Sequence, residues 1–207
     1  MKNPKEIINN IKRRIDKEKK EQEEGTYQTV DFKGVARTIK RLNPNIRFVI
    51  ELLQNADDNK YYKNITPFFK VSIIPFDKWG YPYCLWIQNN EKGFEKENVE
   101  NLCKFFGSTK RKIGFIGEFG IGFKSVFSIT NDPYIFSNGY SFKFEHKKDD
   151  TFSLIEPIWV DKPPEFVNQK VTNIILPFSE EKKDLVLEHI KKDLLGFIAF
   201  PEENQVN

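Results

Sequence analysis

Cysteine is scarce, with two in 207 residues, Cys84 and Cys103, in neither a C-x-x-C pair nor a zinc-like spacing. Each stands in apolar wording (YCLWI, NLCKFF), which predicts buried, reduced thiols. Histidine is equally sparse. His146 and His189 form no recognisable ligand pattern, and neither is assigned to a metal or a catalytic triad. No apolar run approaches the roughly 18 residues of a membrane-spanning helix, so no membrane partner is expected. The opening MKNPKEIINNIKRR lacks the apolar stretch of a signal peptide. A cytoplasmic or nuclear location is the resulting expectation. Nor does charge of one sign dominate: the net +3 is too small and too mixed to indicate nucleic acid. The basic stretch Lys12, Arg13, Arg14, Lys17, Lys19 and Lys20 is interrupted or followed by Asp16, Glu18, Glu21, Glu23 and Glu24. It reads as a solvated helix face.

What is present is enough apolar side chain for a core: 39% hydrophobic residues, including 20 Phe. The length suits one domain with short appendages. Asn3-Pro4 is a helix start, followed by Ile7, Ile8, Ile11 and Ile15 at helical spacing. This charged helical extension, residues 1–25, carries one narrow apolar stripe that suits docking or self-association as a homodimer. PFFKVSIIPF and YPYCLWIQN predict two strands joined through Asp77-Lys78-Trp79-Gly80. EKENVENLCKFF predicts a helix with Val99, Leu102, Cys103 and Phe106 on one face. A glycine-rich basic loop spans 107–122, and GFKSVFSIT opens another helix. PYIFSNGYSFKFEH predicts a hairpin turning at Asn138-Gly139. TFSLIEPIWV and VTNIILPF read as further strands. After Ser179 the chain reads as a helix with Val186, Leu187, Ile190 and Leu194 on one face. The order predicts an α+β fold with helices on one face of a mixed sheet.

Two segments carry chemistry. In a helix over 46–58, Ile46, Val49, Ile50, Leu53 and Ala56 share one side, while Glu51, Asn55 and Asp58 share the other. A solvent face would also be polar, but here no Lys or Arg separates the carboxylates, whereas surface helices usually alternate signs. The second segment is IGFIGEFGIGFKSVF. Gly114, Gly117, Gly120 and Gly122 allow backbone N–H groups to approach an anion at the start of a helix. A Walker A loop is rejected, because Phe123 intervenes before Lys124-Ser125. Glycines that merely let a helix pack tightly are the structural alternative, though four of them are poorly explained that way.

ELLQNADDN, NNEKGF, FFGSTK, IGEFGIGFKSVF and TNIILPF occur in the order and spacing of a known motif set. Over about 46–178 the chain resembles the ATP-binding domains shared by gyrase, heat-shock chaperones, histidine kinases and MutL (the GHKL, or Bergerat-fold, superfamily). The wording is most similar to NO VEIN-type and sacsin-type domains.

That resemblance implies a two-layer α/β sandwich with ATP held between helices and a lid. It makes 26–179 the ATP-binding domain and 180–207 a C-terminal helix and tail. Glu51 would be the general base and Asn55 the Mg²⁺ ligand, with Asp58 in the polar shell near the nucleoside. Gly93 and Phe94 would shape the adenine end. Ser108, Thr109 and Lys110 would lie in the lid, and Gly117, Gly120, Ile121, Gly122 and Phe123 would form the phosphate cradle. Thr172 would contact the base side. One position departs from the superfamily's Asp-x-Gly-x-Gly box: here it reads Asn89-Asn90-Glu91-Lys92-Gly93, with Asn89 as base acceptor and Glu91 in place of a glycine.

The expected activity is Mg²⁺-dependent ATP binding with slow hydrolysis, coupled to conformational change in a chaperone-like or larger assembly. The alternative is a non-hydrolysing or vestigial nucleotide module acting through protein contacts, since about thirty residues follow TNIILPF and no transducer domain is among them. A histidine kinase is disfavoured, because no His-bearing dimerisation helix precedes the boxes.

Overall fold

The computed structural model describes residues 3–26, 48–104 and 121–197, with the backbone alone for 121–122 and 193–197. The fold is α+β. Six strands form one open sheet: β1 (Phe69–Lys78), β2 (Tyr81–Asn89), β3 (Tyr134–Ser137), β4 (Tyr140–Lys143), β5 (Ile158–Trp159) and β6 (Thr172–Phe178). Their spatial order is β1-β2-β6-β3-β4-β5. Every pairing among the described strands is antiparallel, which corrects the expected mixed sheet. Short turns close β1–β2 and β3–β4 into hairpins, as expected, and β6 enters between them antiparallel to both, a long-range pairing that makes the sheet antiparallel. Both turns use adjacent positive φ angles, Trp79 (56°) with Gly80 (78°) and Asn138 (48°) with Gly139 (82°).

β6 is the central strand, and all seven of its residues are buried. Its apolar run TNIILPF therefore lacks polar alternation, as expected of a strand covered on both faces. On one face, Leu85, Ile87, Ile174 and Leu176 join the helices in the main core. On the other, Cys84, Phe136 and Ile175 pack with Phe166 and Val167, so a loop covers that face.

The helices are α1 (Pro4–Glu23), α2 (Phe48–Asp57), α3 (Lys96–Leu102), the single turn α4 (Ile121–Lys124) and α5 (Lys183–Phe197). Asn3 caps α1 by accepting from the Lys5 amide at 3.0 Å. The four isoleucines of α1 are buried in the same core as the sheet. That stripe is used up inside the chain, so it offers no face for a homodimer. The basic residues of α1 are not simply solvated either. Lys12 and Lys19 pair with Glu156 at 2.7 and 2.6 Å, and Arg14 donates to the Cys103 carbonyl at 2.7 Å.

Other expectations shift locally. The core side of α2 is Phe48, Val49, Ile50, Leu52 and Ala56, with Leu53 half-buried; Ile46 lies outside the described residues. In α3, Val99, Leu102 and the adjoining Cys103 are buried as expected, and Phe106 lies outside the described residues. GFKSVFSIT forms α4 and then a 3-10 turn, Ser125–Ser128. TFSLIEPIWV is not one strand. Asp150 accepts from the Phe152 amide and starts a 3-10 turn, Thr151–Leu154, leaving only Ile158–Trp159 extended. In α5, Val186 is fully buried and Ile190 partly so. Among the described residues no helix is long and apolar enough to cross a membrane.

Candidate functional site

Three strand ends converge at one edge of the core. Antiparallel register sets Asn89, the last residue of β2, opposite Thr172, the first of β6. The next strand over pairs Phe136 with Asn173, which brings Ser137 at the end of β3 beside Thr172. The two hydroxyls lie 2.6 Å apart, and Ser137 Oγ also accepts from the Phe94 amide at 2.8 Å. Asn173 beneath them is fully buried. Its Oδ1 accepts from Trp86 Nε1 and Gln88 Nε2, and its Nδ2 donates to the carbonyls of Asn168 and Val171. This saturated amide fixes the start of β6 and thereby the position of Thr172.

The loop after β2 crosses this cluster. Asn89 Oδ1 accepts from the Glu91 amide at 3.2 Å, a short-range turn that folds Glu91 back over the strand ends. Glu91 is 5% exposed. Burial pushes its carboxyl up from its ordinary value, while hydrogen bonds from Thr172 and Asn59 pull the other way. Its Oε1 has no hydrogen-bond partner.

Gly93 sits at φ 88°, and a Cβ built there would lie 2.6 Å from the Asn138 Cβ. Asn138 in turn donates to the Phe94 carbonyl at 2.9 Å. The expected glycine thus serves a close approach between this loop and the β3–β4 turn. Gly93→Ala is expected to cost about 2–3 kcal/mol, from the left-handed backbone plus the clash; a urea midpoint equal to wild type would refute the close approach. Phe94 is buried in the main core.

From α2 the chain reaches the same place. Glu51 and Asn55 are half-buried, one turn apart on the side away from the core. Asp58, just past the helix, is exposed, and its amide bonds the Gln54 carbonyl. Tyr61 donates to the Ala56 carbonyl at 2.7 Å, and the Lys92 amide donates to the Lys60 carbonyl at 2.8 Å. The exit of α2 is thereby tied to the loop holding Glu91.

Phe123 is buried against Phe144, with ring centroids 6.0 Å apart. The backbone of Ile121 and Gly122 lies in α4. Ser108, Thr109, Lys110, Gly117 and Gly120 lie outside the described residues.

Lys124 does not face a phosphate. It is 2% exposed, donating to the carbonyls of Leu102 and Leu154 at 2.6 Å each, and its Nζ lies 4.4 Å from the centre of the Phe144 ring. Burial lowers its pKa to about 7. This agrees with rejecting a Walker A loop. Cys84 and Cys103 are buried free thiols, pushed up to about 12 by burial.

With this geometry fixed, one match is decisive: the family model described as the sacsin domain covers residues 35–159. The chain belongs to the sacsin domain family. That match takes in Glu51, Asn55, the Asn89–Phe94 loop and Phe123; Thr172 lies beyond it. Protein NO VEIN of Arabidopsis thaliana is 46% identical over 99 residues, which are 47% of this chain and 3% of that protein. The chain thus spans a small fraction of that relative's length.

Within this sacsin-family chain, sequence reasoning brought Asn89, Gly93, Phe94 and Thr172 to one place. It passed over Ser137 and Asn59, and took Glu91 only as a missing glycine. A carboxylate amid the apolar and amide residues of this box was the available signal for Glu91. Ser137 carried none, since only the register of β3 on β6 makes it a neighbour of Thr172.

Proposed function

We propose that the chain binds Mg-ATP and hydrolyses it slowly, as a member of the GHKL superfamily. The observation that carries this reading is the link between two polar clusters. The helix presenting Glu51 and Asn55 is tied at its exit to the buried Asn89–Glu91–Thr172–Ser137 cluster. A nucleotide needs both ends: oxygen ligands and a base at the phosphates, and a desolvated polar pocket for the heterocycle. The unpartnered Glu91 Oε1 suits a donor on such a ligand.

Asn55 would hold Mg²⁺. Among the described residues no group of three or more His, Cys, Asp or Glu could form a metal cage. A hard ion that takes one side-chain oxygen and otherwise phosphate and water oxygens fits this donor set. When bound, Mg²⁺ supplies charge neutralisation at the phosphates. Glu51, one turn earlier, takes the proton from the attacking water.

Calorimetric titration with Mg-ATP and a phosphate-release assay test these roles. Asn55→Ala is expected to weaken binding about tenfold or more. Glu51→Ala is expected to leave binding within about twofold while hydrolysis falls about 10²–10⁴-fold. Wild-type hydrolysis in Glu51→Ala would remove that residue as the base.

A second reading is a nucleotide module without turnover that acts through protein contacts. It is favoured by the Asn89 acceptor being turned to the chain's own Glu91 amide. It is also favoured by the much longer chain in which the NO VEIN counterpart operates. Saturable binding with no phosphate release in wild type would select it.

A further inference from the structure

A buried carboxylate oxygen without a partner is costly, and native interiors rarely leave one. Glu91 is such a group, and its surroundings point donors toward it. Ser137 Oγ accepts from the Phe94 amide and lies 2.6 Å from Thr172 Oγ1, where either hydroxyl can donate to the other. The Thr172 hydroxyl and the Asn59 side chain both reach the Glu91 carboxyl. Among the described residues no lysine or arginine neutralises this carboxyl. Asn89, by contrast, has its oxygen engaged with the Glu91 amide.

We propose that Glu91, not Asn89, reads the exocyclic amino group of the nucleotide base, with Oε1 accepting from the 6-amino group of a purine. The inference rests on the Mg-ATP reading above and names the residue that sets its base selectivity. A single free acceptor calls for a single donor. A 6-aminopurine supplies one next to a ring nitrogen, whereas guanine carries an acceptor oxygen at that position and would face the carboxylate with like polarity. The carboxylate lost where the box has Asn89 is thus restored two residues later, carried inward by the turn that Asn89 itself makes.

The test compares ATP with purine riboside triphosphate, which has hydrogen in place of the amino group, by calorimetry on the full chain with Mg²⁺. Wild type is expected to bind ATP about tenfold or more tightly, the step of a charge-assisted hydrogen bond. GTP is expected to bind no better than purine riboside triphosphate. In Glu91→Gln, which keeps the shape, affinity for ATP should fall toward that of the analogue, whose own affinity moves less than about twofold.

Equal wild-type affinity for ATP and the analogue overturns the proposal without any variant, and this arm stands even if Glu91→Gln does not fold. Undiminished discrimination in a folded Glu91→Gln, whose amide oxygen accepts only a weaker neutral hydrogen bond, overturns it while leaving ATP binding intact. An equal loss of both ligands in the variant reduces Glu91 to a structural part and also overturns it. Failure of wild type to bind either triphosphate overturns the Mg-ATP reading itself, and this proposal with it.

Discussion

Truncating Ile15 to Ala is expected to destabilise the chain by about 2–5 kcal/mol, with a comparable loss for Ile8→Ala. Ile15 is fully buried and Ile8 is 1% exposed, both inside the core shared with the sheet. Removing three carbons there loses their transfer free energy and leaves a cavity that α1 cannot close. The helix is held along its length: Lys12 and Lys19 bind Glu156, and Lys5 binds Asp161 at 2.7 Å. A domain of this size has a total stability of about 5–15 kcal/mol. The double variant should therefore be largely unfolded, or melt far below wild type. Urea unfolding followed by circular dichroism reads this directly. Midpoints unchanged in both single variants would mean that α1 is an appendage and not part of the core.

The second large effect is a pH dependence written by Lys124. Its folded-state pKa of about 7 lies below its ordinary 10.5, because burial disfavours the ammonium. Between those values the unfolded chain binds a proton that the folded chain does not. Stability therefore rises with pH across that window and levels off below pH 7. The full span corresponds to on the order of 5 kcal/mol.

Above about pH 8 the effect is opposed. Burial raises Cys84 and Cys103, and burial together with Asp132 raises Tyr81, so the unfolded chain loses those protons first. The clean interval is pH 7 to 8, where wild type should gain roughly 1 kcal/mol. Lys124→Met should flatten that slope. Its absolute stability is a poor readout, since the carbonyls of Leu102 and Leu154 lose their donor. Parallel pH profiles for the two proteins would show that Lys124 does not titrate in this range.

The legibility of the sequence followed the range of the interaction involved. Turn chemistry is local, and Trp79-Gly80 and Asn138-Gly139 fall where the residues put them. Apolar periodicity located α1 and α3, and a continuous apolar run located β6. On α2 it mistook Leu53 for Leu52, because rotation about a ten-residue helix depends on what packs against it. Strand direction was missed, since β6 pairs with β2 across more than eighty residues. TFSLIEPIWV looked extended, but the Asp150 side chain offered its backbone a competing turn. The site was legible as motifs, and its detail was not. Thr172 and Gly93 carry signals, whereas the Ser137–Thr172 contact and the inward turn of Glu91 depend on the register of three strands. Lys124 shows the same limit: nothing in GFKSVF marks a lysine that will end among phenylalanines.

The place of β6 has a consequence for how this chain assembles. It is the last of the six strands to leave a ribosome, yet it joins the β1–β2 hairpin to the β3–β4 hairpin. Until Phe178 has emerged, two hairpins exist with no ladder between them, and their inner edges are open. Loop closure over such separations is slow, and unpaired edges invite association with other chains. The isoleucines of α1 must wait as well, because their contacts include β4 and β5, more than 110 residues downstream. Folding during synthesis is therefore held back until late and then completed by one seven-residue segment. A chain truncated before Thr172 would lose a seam through the middle of the sheet, not a single strand at its edge.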